Sequence, residues 1–362
     1  MNPFNDVNKD GGKASSIVII FSCWKTMMGS AVVSMPWAFQ QSGMGLGMII
    51  SFVSFVISYY TCYLIVEMTG DDPDFADTAR KYYGKILFLL FTSFLGPFGY
   101  YIGLCAPAIL ILGAIIVYFV IMCQMFYPIV LALYKWISGS SPAYYADPTF
   151  KHFSSSYCAM MLAVLLIYIC SKKDLNIFMR IGSFGVIFIM LFVLYIIYNF
   201  IAATTNTTFE FGTTSESDLT IWSNNARTIV LFNSNFGPLA GILCAGYYLH
   251  TCSLPLIRSS ANPEKKYRDL FIGYVLVFVS YAICGCLGYI GFLGFNFRDY
   301  MVGEEGGSTA GQLDQNCLNM FLYYSVPGFF LRIFIFMVVF STYPLLVYFE
   351  MTCINLLFFR NK

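Results

Sequence analysis

The chain has 362 residues, 58% of them hydrophobic and only 11% charged, with a mean hydropathy of +0.70 and a formal net charge of +1 at pH 7. Soluble domains average roughly 25% charged residues, so most of this chain must face lipid or a membrane-embedded core. The balanced charge and the lack of a basic run exclude a nucleic-acid-binding role.

Residues 1–15 form a short polar tail. The apolar stretch 17–40 that follows is too long for a signal-peptide core and has no small-residue cleavage site before polar sequence, so it reads as a retained first span. Its middle carries Trp24-Lys25-Thr26-Met27-Met28-Gly29-Ser30. Counted from Ser16, Lys25 lies about 14 Å along a helix rising about 1.5 Å per residue, near the midplane of a hydrocarbon core about 30 Å thick. An ammonium there is costly, and Gly29 weakens the helix just after it. Two readings stand side by side. Either Gly29 allows close helix packing, or the helix breaks to line a cavity that handles a polar ligand, which predicts a transporter.

Further windows of apolar residues fall near 46–68, 108–137, 157–171, 178–201, 236–257, 270–293 and 327–357. The stretch 86–137 is too long for one span and carries Gly96-Pro97 and Pro107 as breaks. It holds either a re-entrant or interfacial segment followed by one span at 108–137, or two spans. Charge decides between them. With one span there, fourteen Lys and Arg residues share the side of the N-terminus, among them Lys172, Lys173, Arg258 and Arg268, against Lys135, Lys151, Arg227, Arg298 and Arg332 opposite. That positive-inside bias predicts eight spans and a cytosolic N-terminus.

The expected first cytosolic loop holds Asp71, Asp72, Asp74 and Asp77, read as a solvated acidic run. Asn206-Thr207-Thr208, the only N-glycosylation sequon, falls in an extracytosolic loop, consistent with this topology. Eleven of the twelve cysteines lie inside or at the edges of apolar segments, and only Cys317 sits in a clearly polar loop. No CxxC pair suggests a metal site. His152 and His250 are the only histidines, and no nucleophile–base pair stands at useful spacing, so the chain is not expected to be an enzyme.

Three blocks carry a family resemblance. Residues 16–38 hold Trp24, then Thr26-Met27-Met28-Gly29, then Pro36-Trp37. Residues 238–270 hold Cys244-Ala245-Gly246-Tyr247-Tyr248-Leu249-His250 and Tyr267-Arg268-Asp269-Leu270. Residues 332–348 hold Arg332-Ile333-Phe334 and Tyr343-Pro344-Leu345-Leu346. In these blocks the chain resembles the amino-acid/auxin permease family, and most closely its branch of lysosomal sodium-coupled amino-acid transporters and arginine sensors. The resemblance implies an all-α, leucine-transporter-type bundle of two inverted repeats, with helices one and six broken around a midplane amino-acid site. It also implies a lysosomal, vacuolar or other endomembrane location. The family's fold needs more than the eight spans found here, so the second repeat is expected to be incomplete: the chain is a fragment, a degenerate protein or one completed by a partner of unknown identity.

On this reading the substrate residues are Thr26, Met27, Met28, Gly29 and Ser30 on helix one and Cys244, Ala245, Gly246 and Tyr247 on helix six. Unwinding near Gly29 exposes N–H groups that favour a carboxylate, while carbonyls around Thr26 and Met27 are left free for an ammonium or a metal cation. The hydroxyls of Ser341 and Thr342 either bond back to their own helix or, as the resemblance implies, help hold a coupling sodium. Here the chain departs from the family. Where sodium-coupled members carry an asparagine near that ion, this sequence has Lys25, so an ammonium near Ser341 is expected to occupy the cation position. Coupling is then by proton or absent, since a buried lysine can release and regain a proton. The opposing reading has Lys25 snorkel towards the cytosol or pair with an acid.

His250 is expected either to bond a neighbouring helix or to sense protons. A Cys317–Cys158 bridge is possible. Three functions remain open: a secondary amino-acid transporter in the lipid bilayer with sodium or proton as the possible coupling ion, an amino-acid sensor, or a non-transporting scaffold.

Overall fold

The computed structural model describes residues 15–29, 31–69, 96–140, 150–171, 175–206, 208–214, 226–250, 253, 256–257, 260–294, 313–321 and 324–359. The acidic run Asp71–Asp77, the tail before Ser15 and Ser30 lie outside them.

Helices dominate every apolar window. The first window is two helices, α1 (Ser16–Met28) and α2 (Ala31–Ser42), bent by 56° about the residues between them. Gly29 sits there with φ 29° and ψ −133°, a conformation that side-chain-bearing residues avoid. Next comes α3 (Met44–Thr69), entered through Gly43 at φ 81°.

The long apolar block behaves differently from expectation. Gly96–Ser138 is one helix of 43 residues, α4, running through both Pro97 and Pro107. Pro97 falls in the first turn, where its missing N–H has no intrahelical partner to lose. Pro107 forfeits a single bond, which membrane helices tolerate. One span, Ala108–Ser138, follows by length and composition; residues 86–95 lie outside the described set.

Helix α5 (Ser155–Cys170) starts at Ser154, whose side chain accepts from the Ser156 N–H at 3.3 Å. Helix α6 (Leu175–Asn206) is followed by two strands absent from the sequence reading. β1 (Thr208–Thr214) and β2 (Ala226–Phe232) pair in parallel, Thr208 opposite Ala226. Helix α7 (Gly237–Gly246) ends inside the expected sixth window. A 3-10 turn, Pro263–Lys265, leads into α8 (Lys266–Ala282), which passes through a π turn at Ile283–Leu287 into α9 (Gly288–Gly294). The last helix, α10 (Val326–Phe359), holds Pro344 in its interior.

Among the described residues, five helical stretches are long and apolar enough to cross a membrane, and the bent α1–α2 pair makes a sixth. The shorter apolar helices α5 and α7 occupy the remaining two expected windows. The chain is a polytopic helical membrane protein. Large apolar side chains such as Ile49, Phe52, Ile109, Val164 and Leu194 face outwards, as lipid contact requires, while Cys23, Met28, Phe39, Tyr247, Tyr274 and Tyr281 fill the interior.

Cys158 and Cys317 are both buried free thiols, so the possible bridge is not formed. Cys158 packs with Tyr127 and Leu131, whereas Cys317 belongs to the main core.

Candidate substrate site at two interrupted helices

Glycine at position 29 meets two demands at once. The backbone angle is one, and the second is space: a Cβ there would overlap the hydroxyl of Tyr118, which α4 presses against the break. Met27 and Met28 beside it are buried. Thr26 turns its hydroxyl back onto the Ser22 carbonyl at 2.7 Å, so it contributes no free donor. The Gly29 N–H reaches Lys25 O only at 3.5 Å, which marks the helix coming undone.

The end of α7 lies against the same break. A methyl on Gly246 would stand 3.2 Å from Ala31 Cβ, at the start of α2, and 2.6 Å from the Tyr281 hydroxyl. Tyr281 is fully buried and donates to Met27 O at 2.7 Å. The Met27 carbonyl, expected to be free for an ammonium or cation, is therefore already engaged: a phenol reaches it from α8. Tyr247 is fully buried beside Tyr281, with ring centroids 5.4 Å apart and planes at 73°. Its own hydroxyl has no hydrogen-bond partner among the described residues.

So the structure brings together Met27, Met28, Gly29, Gly246 and Tyr247. Cys244 and Ala245 are exposed instead, away from the break.

A second constellation involves three helices. Lys25 on α1 is only 7% exposed, and a Cβ built on Gly185 of α6 would lie 2.8 Å from its Cε and 3.2 Å from Ser341 Oγ of α10. The lysine stem thus fits over a glycine, beside the serine. Both hydroxyls of the Ser341-Thr342 pair donate to Val338 O at 2.9 Å, the back-bonded arrangement, which leaves their oxygen lone pairs open. His250 Nε2 lies 2.8 Å from Thr61 Oγ1 of α3, so it bonds a neighbouring helix.

Tyr118, Tyr274, Tyr281 and Gly185 escaped the sequence reading. A signal for the first group did exist: Tyr267, Tyr274 and Tyr281 recur every seven residues in an otherwise apolar span, which puts them on one helix face. Tyr289 follows at eight, and the wider π turn at Ile283–Leu287 lies in that interval. Gly185 left no such signal.

Comparison with known proteins places this architecture. A family model described as "Transmembrane amino acid transporter protein" matches residues 12–294, and the chain belongs to that family. It is 28% identical to the sodium-coupled neutral amino acid transporter 9 homolog of Caenorhabditis elegans, over 78% of this chain and 51% of that protein. It is 24% identical to neutral amino acid transporter 9 of Xenopus laevis, over 93% of this chain and 62% of that one. With the protein of that name in Rattus norvegicus it shares 22% identity over the same two fractions, 93% and 62%. The chain spans between half and two thirds of the length of these relatives. The resemblance carried by Trp24, Thr26–Gly29 and Cys244–His250 is borne out.

Proposed function

We propose that this protein moves neutral amino acids across a membrane by alternating access, with the α1–α2 break and the end of α7 as the substrate site. One observation carries this reading: the end of α7 at Gly246 lies against Ala31, where α2 starts just past the α1 break at Gly29. Half-helices that meet this way offer N–H groups at the start of α2 to a carboxylate and carbonyl groups at the end of α1 to an ammonium. Tyr247, Met28 and the hydroxyl of Tyr118 supply apolar wall and a polar contact for an uncharged side chain. The names of the relatives support the same substrate class. The family description supports a carrier.

Coupling is sodium-independent in this proposal. The Lys25 stem reaches the α1–α6–α10 junction at Gly185, which the Ser341 hydroxyl also approaches, and its charge takes the place of a bound cation there. The C. elegans relative is named as sodium-coupled, so the proposal separates this chain from it in its coupling. The fourteen-to-five distribution of basic residues supports a cytosolic N-terminus, and with it an Asn206 sequon on the lumenal side of an endomembrane such as the lysosomal one.

The test is uptake of tritiated leucine, glutamine and other neutral amino acids into liposomes holding the purified chain, with and without sodium, for wild type and Lys25→Asn. Uptake that is equal in sodium and in choline supports the proposal. Steep sodium dependence in the wild type overturns the coupling scheme. Binding without flux supports a sensor instead, and the absence of both supports a scaffold.

A further inference from the structure

A helix that stops inside a membrane leaves its last carbonyls without partners, and lipid offers none. Here α1 stops at Met28 and α7 at Gly246. Both ends are served by one helix. The Tyr281 hydroxyl donates to Met27 O at 2.7 Å, and the Tyr274 hydroxyl donates to Tyr247 O at 3.3 Å. The two tyrosines are fully buried and stand seven residues apart on α8, hence on one face and about 10 Å apart along the axis.

The ring of Tyr247 lies between theirs. It stacks on Tyr274 at 6.3 Å and 10°, and meets Tyr281 edge-on at 5.4 Å. The adjoining face of α8 holds α1 at two more points: Gly273 accepts Cys23 closely, and Trp24 Nε1 donates to Ser280 Oγ at 3.0 Å.

We propose that Tyr274 and Tyr281 are positioning residues that cap the terminal carbonyls of the two interrupted helices, so that α8 fixes the distance and angle between the halves of the substrate site. The cap on α1 also occupies one of the two lone pairs of Met27 O. The inference rests on reading the two breaks as the amino-acid site, while the caps themselves are judged without any substrate.

The experiment uses the full chain in lipid nanodiscs and the variants Tyr281→Phe and Tyr274→Phe, which keep each ring and remove only the hydroxyl. Amide hydrogen exchange is followed over residues 24–32 and 243–253, with 44–69 as the internal control, alongside binding of the tritiated amino acid that the wild type takes. Tyr281→Phe should speed exchange in 24–32 alone, and Tyr274→Phe in 243–253 alone. Each should weaken amino-acid binding about three- to tenfold, the range of one hydrogen bond inside a membrane protein.

Gly246→Ala gives an independent arm, because its methyl would stand 2.6 Å from the Tyr281 hydroxyl and push it off Met27 O while keeping the tyrosine. It should reproduce the faster exchange in 24–32 even where the Phe variant fails to fold. Unchanged exchange at both breaks in these variants, or faster exchange with unaltered affinity, overturns the proposal. A wild type that binds no amino acid instead removes the substrate reading, and the exchange data still decide whether the hydroxyls cap the two ends.

Discussion

Lys25 and Ser341 converge on the same glycine, Gly185, from two different helices, and a single methyl added there would touch both side chains. The lysine ammonium forms no hydrogen bond or ion pair among the described residues, although the side chain is 93% removed from the surface by its 7% exposure. A cation held this way is unfavourable for folding, since a charge near the centre of a membrane helix costs about 3 kcal/mol on insertion scales. Its presence at the proposed site is thus a cost that function explains.

Lys25→Met keeps the stem and removes the charge. The variant should unfold later than wild type by about 2 kcal/mol, because a buried unpaired charge is replaced by an apolar group of similar length. Amino-acid uptake should fall at least tenfold. Thermal unfolding in detergent and liposome uptake, measured on the same preparation, check the two halves; a variant that is less stable yet fully active would remove the cation role.

Gly29→Ala should be far worse than an ordinary glycine replacement. The residue holds φ at 29°, and its added methyl would run into the Tyr118 hydroxyl. Backbone strain of about 1–2 kcal/mol adds to overpacking of about 1–3 kcal/mol. In the double variant with Tyr118→Phe the steric part should shrink, leaving the ring carbon at 3.0 Å, and the backbone part should remain. Unfolding midpoints of the single and double variants separate the two terms.

Tyr247→Phe tests the hydroxyl that has no partner. Removing a buried donor with nothing to bond should leave the ligand-free protein as stable as wild type, or more stable by about 1 kcal/mol. If substrate is what that hydroxyl awaits, amino-acid affinity should drop about three- to tenfold. Equilibrium binding of the tritiated amino acid together with a melting curve reads both.

Thr61→Val probes the contact between α3 and the segment after α7. Thr61 Oγ1 already approaches Ile57 O at 2.9 Å, so its one proton is engaged and His250 Nε2 is the donor in their 2.8 Å contact. The valine variant leaves that N–H without its acceptor and should lose about 0.5–1.5 kcal/mol of stability. His250→Phe in the same background should recover part of it. Melting temperatures of the single and double variants provide the check.

Much of this architecture can be read along the chain, because the relevant forces are local. Runs of apolar residues mark the helical windows, and among the described residues each of them holds a helix, though α5 and α7 are short. A glycine in mid-span beside a lysine marks the first interruption, since only glycine takes φ of 29° cheaply. The α4 block shows the limit of such reasoning: two prolines suggested breaks, yet the helix runs on from Gly96 to Ser138. A lost hydrogen bond is a local cost, whereas the packing of α4 against α10, which offsets it, is set elsewhere in the chain.

What only the tertiary structure decided are the pairings between distant residues. Tyr281 and Met27 are 254 positions apart, Trp24 and Ser280 are 256 apart, and Lys25 meets Gly185 and Ser341 through two other helices. No period or propensity records such contacts, because a hydroxyl that caps a carbonyl across the bundle has the same local sequence as one that packs in a core. The sequence alone determined that the protein lives in a membrane and where its first helix must give way. Which groups close around that interruption depends on how the helices cross, and long-range packing settles that.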